Sequence, residues 1–254
     1  MPAAATVVAR LPVPGRPRRA PRALTLGAAL SLALVGCVAP PAPAPDPDAL
    51  GARWPTMTAH LDAARSVDVT ARWAEPAATV SLAGSLEADG AYRGTTTGPE
   101  GTTQAVHAGQ VTYLRGDGAE AALAEVDPGR WLALPGAARD LVSPAELIEK
   151  VRAELPDELA PRDAALGGHE VTVDGERLER FTGVLFDDAG PVDLYLDAQG
   201  RLARITRAGG GTATGPPGDG ALLPRVESVD FDDWDAVPPV RAPAPEDVWD
   251  RPGL

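Results

Sequence analysis

Cysteine, histidine and lysine are scarce in this 254-residue sequence, and their scarcity excludes several kinds of site. Because Cys37 is the only cysteine, no disulfide can form within the chain, and its stability must come from packing. The three histidines have no partners at ligand spacing, so we expect no metal site at His60, His107 or His169. Lysine occurs once while arginine abounds, which we attribute to genomic base composition.

Motifs of catalysis are missing as well. The sequence has no Gly-x-Ser-x-Gly elbow for a nucleophile and no glycine-rich phosphate loop ending in Lys-Ser or Lys-Thr. The acidic cluster from Asp230 to Asp235 begins like a calcium loop, but it lacks the glycine at the sixth position and the glutamate at the twelfth. We therefore expect no catalytic residue, no metal and no cofactor, and we interpret the chain as a protein that is not an enzyme.

Positive charge is concentrated at the start of the chain. Residues 1–36 contain five arginines and no acidic residue, whereas the remaining 218 residues contain 18 Lys and Arg against 36 Asp and Glu. A body with a formal charge of −18 is repelled by phosphate backbones, whose binding requires Lys and Arg. The sequence therefore excludes nucleic acid as a partner, and no basic patch is expected to hold the body at an anionic membrane.

What the sequence does contain is an export leader. Residues 23–35 form an apolar run of 13 residues, which suits a signal peptide and is too short to span a membrane. Leu34-Val35-Gly36-Cys37 follows at once and resembles the lipobox of bacterial lipoproteins. The resemblance implies cleavage before Cys37, a diacylglycerol on its sulfur and often a further acyl chain such as palmitate on its amine. An ordinary secretory peptide with an incidental cysteine is the alternative.

These features divide the chain into three parts. Residues 1–36 are predicted to be a lipoprotein signal peptide, and residues 37–55, rich in proline and alanine, a tether in extended polyproline II conformation. Residues 56–254 are predicted to form one domain that ends in an acidic, proline-rich tail. We expect the domain to be anchored by lipid to the cell membrane, on its extracytoplasmic face.

Short alternating segments separated by turns dominate the predicted domain. Residues 67–73 alternate apolar with polar side chains, as do residues 80–86, and Asp89-Gly90 is typical of a hairpin turn. Further strands are predicted at 92–97, 102–107, 111–114, 169–173 and 178–186, followed by a hairpin over 190–205 and a last strand near 222–231. Residues 208–220 are rich in glycine and predict a loop. Tight connections between short strands favour an antiparallel meander.

One helix interrupts these strands. Ser143-Pro144-Ala145-Glu146 supplies an N-cap serine, a proline at the first helical position and a glutamate that completes a capping box. Leu147, Ile148, Val151 and Leu155 then recur on one face, and Pro156 ends the helix. This apolar stripe is expected to lie against the concave face of the sheet, either as part of the core or as the roof of a cavity.

The order of these features resembles a known family. Four features in this order together resemble the LppX/LprG group of actinobacterial lipoproteins, which is related in fold to the lipoprotein carrier LolA. They are a helix before SVDVTARW, then VTYLR followed by WLAL, the hairpin GPVDLYLDAQGRLARI, and the ending VESVDFDDWDAVPPVRAPAPEDV. The resemblance implies an α+β fold: a strongly curved antiparallel sheet, or half-open barrel, with helices packed on its concave face. This chain departs from the group in having few phenylalanines and the glycine-rich insertion at 208–220.

The same resemblance implies a function. Members of the group are thought to carry lipids or lipidated molecules across the envelope, so the chain is predicted to bind a hydrophobic ligand, such as an acylated envelope lipid, between sheet and helices. The candidates for lining that cavity are Trp73, Val111, Tyr113, Leu147, Ile148, Val151 and Leu155. The alternative is a sensor or interaction module of the same fold, without lipid cargo, that binds another protein of the envelope.

Overall fold

The computed structural model describes residues 46–74, 76–87, 90–118, 129–135, 141–186, 190–207, 222–223 and 225–249. The predicted signal peptide, the predicted lipid attachment site Cys37 and the glycine-rich segment 208–220 lie outside these residues. No helix among the described residues combines the length and the apolar character needed to cross a bilayer.

The described residues form an α+β fold dominated by a single twelve-stranded sheet, which is curved and does not close on itself. Its strands are β1 (Ser66–Trp73), β2 (Ala78–Ser85), β3 (Tyr92–Gly98), β4 (Gly101–Ala108), β5 (Val111–Gly116), β6 (Trp131–Pro135), β7 (His169–Val173), β8 (Glu176–Phe186), β9 (Gly190–Leu196), β10 (Leu202–Arg207), β11 (Ser228–Asp232) and β12 (Val248–Trp249). The helices are α1 (Leu50–Ala63), α2 (Pro144–Glu154) and α3 (Pro161–Ala164), with a 3-10 turn at Pro245–Asp247.

Two antiparallel meanders make up the sheet. The strand order is β12-β6-β5-β4-β3-β2-β1-β11-β10-β9-β8-β7, so β1 to β6 run in sequence to one side and β7 to β11 to the other. They join where β1 pairs antiparallel with β11, with Val69 opposite Phe231. The chain between β6 and β7 contains α2 and α3 and carries it from one end of the sheet to the other. The predicted meander and fold class are confirmed.

Several predicted turns are also found. Asp174 and Gly175 both have positive φ, 52° and 93°, and form the two-residue turn between β7 and β8 that Asp-Gly favours. At the β9–β10 hairpin, Asp197 accepts hydrogen bonds on its carboxylate from the N–H groups of Gln199 and Arg201. These local side-chain bonds explain why the Asp-Ala-Gln-Gly sequence reverses the chain at this point.

Helix α2 has the predicted N-terminus. The Ser143 hydroxyl accepts a hydrogen bond from the Glu146 N–H at 3.2 Å, and the Glu146 carboxylate accepts one from the Ser143 N–H at 2.7 Å. The capping box thus satisfies two of the N–H groups that the first helical turn leaves free.

Helix α1 begins earlier than predicted, at Leu50, inside the segment assigned to the tether at 37–55. Leu50 and Trp54 are both buried in the core, so this stretch belongs to the folded domain. The helix also contains Pro55, which removes one backbone donor and made the segment look non-helical in sequence. A tertiary contact holds the first turn in place: the Leu50 N–H, which has no partner within the helix, donates to the Leu166 carbonyl at 2.8 Å.

A hydrophobic core fills the space between the helices and one face of the sheet. Helix α2 packs over β1 and β2, whereas α1 contacts α3. The core combines buried side chains from α1, α2, β1, β2 and β8 to β11, with the segment at Leu222–Leu223. We call this the helix face of the sheet, and the opposite face the outer face.

The predicted tail does not stay apart from the domain. Residues 248–249 return as strand β12 and pair in parallel with β6, Val248 opposite Trp131 and Trp249 opposite Leu132. The tail therefore covers one edge of the sheet, which the charge and proline content of the sequence did not indicate.

Candidate functional site

The outer face of the sheet is polar, and charged side chains of neighbouring strands form hydrogen bonds across it. Asp230 of β11 accepts hydrogen bonds from Arg72 of β1 and from Arg204 of β10. Arg204 also donates to Asp174 in the β7–β8 turn, at 2.9 Å. Alternation along the strands puts Asp230 on the outer face, while Val229 and Phe231 point to the core. This network supports the joint between the two meanders.

A recess of about 310 Å³ lies on the outer face over the first meander. We call it the outer recess. It lies across strands β1 to β6, and its lining is mixed, with charged, hydroxyl, amide and aromatic groups. The residues that line it are Asp68, Ser81, Ala83, Arg93, Gly94, Thr95, Gln104, Ala105, Val106 and Trp131.

The β6 end of the outer recess is held rigid by a stack. The Arg115 guanidinium lies 4.5 Å from the ring centroid of Trp131, within the range of a cation–π contact. The same guanidinium donates two hydrogen bonds, at 2.6 and 3.1 Å, to the side-chain oxygen of Gln104. The indole is partly exposed, so a flat aromatic surface with a fixed orientation borders the recess.

The β1 end of the recess carries an unusual carboxylate. Burial raises the pKa of Asp68 above its ordinary value, the charge of Asp233 raises it further, and Arg93 opposes both. Asp68 also stands directly opposite Asp232 in the β1–β11 pair. Like charges facing each other across a sheet are destabilising, so the pair of carboxylates costs the fold some stability at this corner.

A second recess, of about 360 Å³, lies at the ends of β8, β10 and β11. Its charged lining includes Glu176, Arg177 and Asp197, and its floor includes Phe231 and Trp234, whose rings stack at 5.7 Å. The Trp234 indole N–H donates to the Leu202 carbonyl at 2.8 Å. Both aromatic rings are thus fully engaged in the fold, and they serve packing at this position.

Five of the seven predicted cavity residues come together. Trp73, Leu147, Ile148, Val151 and Leu155 all belong to the core cluster on the helix face. Each is at most 9% exposed, and Val151 is fully buried. The stripe of α2 therefore lies in contact with other apolar side chains on the helix face.

Val111 and Tyr113 lie on the other side of the sheet. In β5 it is Thr112 and Leu114 that are buried, and Leu114 pairs with Ala105 and Leu132 on the helix face. Val111 and Tyr113 alternate with them and are partly exposed on the outer face. The structure therefore separates these two residues from the other five. In Val111-Thr112-Tyr113-Leu114 both faces carry an apolar side chain, so the sequence of the strand alone does not decide which face is buried, and the neighbouring strands do.

Sequence reasoning did not single out Arg93, Gln104 or Arg115. Each is a polar residue in a strand, which by itself is the ordinary pattern of a solvated sheet face. The signal that was available is their alternation: all three fall on the outward positions of consecutive strands, so they had to meet on one face once the meander order was known.

The histidines take structural positions. The buried His107 shares a hydrogen bond of 3.0 Å with the Thr112 hydroxyl and stacks against Tyr92 at 5.5 Å. His60 lies in α1 and His169 begins the edge strand β7. Within the described part of the chain, no group of three or more His, Cys, Asp or Glu residues could hold a metal ion.

Comparison with known proteins yields neighbours in structure alone. No family profile matches the chain, and no characterised protein is detectably similar in sequence. Among solved structures, MucB is similar to 80% of this chain over 63% of its own length, with 16% sequence identity and a TM-score of 0.32. The Pseudomonas aeruginosa MucA/MucB complex is similar to 77% of this chain over 59% of its own, with 15% identity and a TM-score of 0.30. MucB in complex with the periplasmic part of MucA is similar to 79% of this chain over 59% of its own, with 16% identity and a TM-score of 0.30. The chain thus spans about three-fifths of these structures.

Proposed function

We propose that this protein is a lipid-anchored, extracytoplasmic interaction module that binds another protein of the cell envelope through the outer recess. One observation carries the proposal: the apolar stripe of α2 is sealed in the core, whereas the outer recess is accessible and lined by chemistry suited to protein recognition. The anchor rests on the leader and Cys37 in the sequence.

The residue types around the outer recess support this function. Tryptophan, tyrosine and arginine are the side chains most enriched where protein interfaces gain their binding energy. Trp131 and Tyr113 stand on adjacent strands of the outer face, and Arg115 and Arg93 flank the recess. Two arginines in a body of formal charge −18 favour a partner segment that presents a carboxylate to them, with an apolar group against the indole.

Site-specific photo-crosslinking tests the proposal. A photoreactive amino acid at Thr95, inside the recess, should give one adduct of defined mass in envelope preparations. The same amino acid at Glu149, on the exposed side of α2, is the matched control and should give none. Trp131→Ala combined with the Thr95 probe should remove the adduct, because the aromatic surface that anchors the partner is gone.

The outer recess would not be the binding site if the adduct pattern were the same at Thr95 and Glu149, or if the Thr95 adduct persisted in Trp131→Ala. Thermal denaturation of each variant provides the folding control. Since Trp131 is partly exposed, its truncation is expected to leave the domain folded.

The second candidate is the lipid carrier, and a different observation favours it. The apolar side chains of the helix face fall into two separate groups: the main core under α1 and α2, and a small cluster of Leu132, Leu134 and Trp249. A ligand lying between two such groups would bury apolar area worth about 25 cal/mol per Å². Native mass spectrometry of the purified chain distinguishes the two candidates: a lipid bound one to one, beyond the anchor itself, supports the carrier.

A further inference from the structure

The C-terminal segment occupies a built site on the edge of β6. Val248 and Trp249 pair in parallel with Trp131 and Leu132, whereas every other strand pair of the described sheet is antiparallel. Addition of an extended segment as a strand at a free sheet edge is also the way in which many domains bind peptides.

Side chains recognise the docked segment as well. The Arg130 guanidinium donates to the Val248 carbonyl at 2.8 Å and to the Glu246 carbonyl at 3.4 Å. The Trp249 side chain packs against the buried Leu132, as does Leu134. The edge therefore offers main-chain groups, one arginine for the carbonyls of the incoming strand and one apolar contact for an aromatic ring.

The segment that leads to this strand is held loosely along its length. Behind β11, the Asp235 N–H donates to the Ser66 carbonyl, and the Asp235 carboxylate accepts from the Arg65 N–H. Between there and the 3-10 turn, residues 237–243 are exposed or partly exposed, and their backbone makes no hydrogen bond to another described residue. Three prolines, Pro238, Pro239 and Pro243, keep this stretch extended.

We infer that the edge of β6 is an acceptor site for an extended segment of a partner protein, and that residues 245–249 of the chain itself occupy it as an intramolecular plug. The partner segment would carry an aromatic residue at the position of Trp249 and expose its carbonyls to Arg130. This inference deepens the proposed function and rests on it for its biological meaning: Trp131 borders the outer recess and also pairs with the plug, so a partner strand would continue directly into the recess.

The plug has a measurable consequence. A connection that spans the distance to its site gives a tethered segment an effective concentration of about millimolar, so the plug masks the site from a free peptide until its own contacts are weakened. The apparent affinity of the edge for a free strand then rises in proportion to the fraction of molecules whose plug is released.

The experiment uses the full chain and, as probe, a fluorescent synthetic peptide of residues 242–254. Trp249→Ala in the chain removes the apolar anchor of the plug, and we expect the probe to bind this variant at least tenfold more tightly than the wild type. The probe with the same Trp249→Ala change should not bind. Arg130→Ala added to the variant should weaken the probe about tenfold, whereas Arg241→Ala, an equal loss of charge on the exposed connection, should have no effect.

Val248→Pro provides a second release of the plug, since proline cannot donate to the ladder, and it leaves the acceptor edge unchanged. Circular dichroism reports whether each variant is folded. Equal binding of the probe to wild type and variants, or binding to none of the folded variants, would overturn the inference. A concentration-dependent dimer of the wild type that the probe dissociates would instead make a second copy the occupant. Crosslinking at Thr95 is independent of this assay, so either site can fail alone.

Discussion

Replacing Val151 by tryptophan tests whether α2 completes a core or roofs a cavity. Val151 is fully buried at the centre of the stripe, between Leu147, Ile148 and Leu155 on the same helix. A tryptophan in a filled core has no space to enter and must displace its neighbours. In an open ligand cavity it would occupy the space that a lipid takes.

The expected magnitude follows from the packing. Overfilling a well-packed core costs about 1–3 kcal/mol in the free energy of unfolding. For a domain of this size, each kcal/mol lowers the melting temperature by about 2–4 °C, so we expect a decrease of about 2–12 °C. Glu149→Trp is the matched control: it adds the same ring on the exposed side of the same helix and should change stability by less than about 0.5 kcal/mol.

Thermal and urea denaturation of both variants and of the wild type measure the difference, and native mass spectrometry of the same samples detects bound lipid. A Val151→Trp variant as stable as the wild type that has also lost a bound lipid would refute the packed core and, with it, the choice of an interaction module over a carrier.

Three further predictions concern separate parts of the chain. Cys37→Ala should abolish lipid attachment and leader cleavage, and intact mass should show a wild-type chain that starts at Cys37 with a diacylglycerol adduct; any other N-terminus contradicts the lipobox. Burial raises the pKa of Asp68 in the folded state, so its ionisation lowers the free energy of unfolding as the pH rises above 3.8, the ordinary value of the group. Asp68→Asn should therefore be more stable than wild type at neutral pH, and the difference should fade on acidification. Urea denaturation at several pH values checks this. Asp193→Ala should cost about 1–3 kcal/mol in the same denaturation assay, since the buried carboxylate accepts from the Gly183 N–H at 2.9 Å and from Arg180 at 2.5 Å; unchanged stability would show these bonds to be dispensable.

Local patterns predicted local structure well. The capping box at Ser143 and the strand His169–Val173 required only interactions between residues a few positions apart, and both are found as predicted. The same holds for the Asp174-Gly175 turn, because both residues adopt positive φ at low cost.

Elements whose stability comes from distant residues were predicted less well. The start of α1 depends on a hydrogen bond from Leu50 to Leu166 and on the close approach of α3, which the missing side chain of Gly51 permits: a Cβ there would lie 2.9 Å from the Ala164 carbonyl oxygen. None of these partners is near in sequence, so Pro55 looked like the end of a tether.

The candidate site shows the same division. Alternation by itself predicted an antiparallel meander, whereas the curvature of the sheet and the helices packed on it were expected from the resemblance to the LppX/LprG group; both are confirmed. The leader and the lipid attachment at Cys37, expected from the lipobox resemblance, stay predictions. The order of the strands decided on which face Val111 and Tyr113 lie. It also decided that Arg93, Gln104 and Trp131 border one recess. The tail joined β6 for a similar reason: a two-residue strand has almost no preference of its own, and only the edge, Arg130 and the Leu132 cluster make it one.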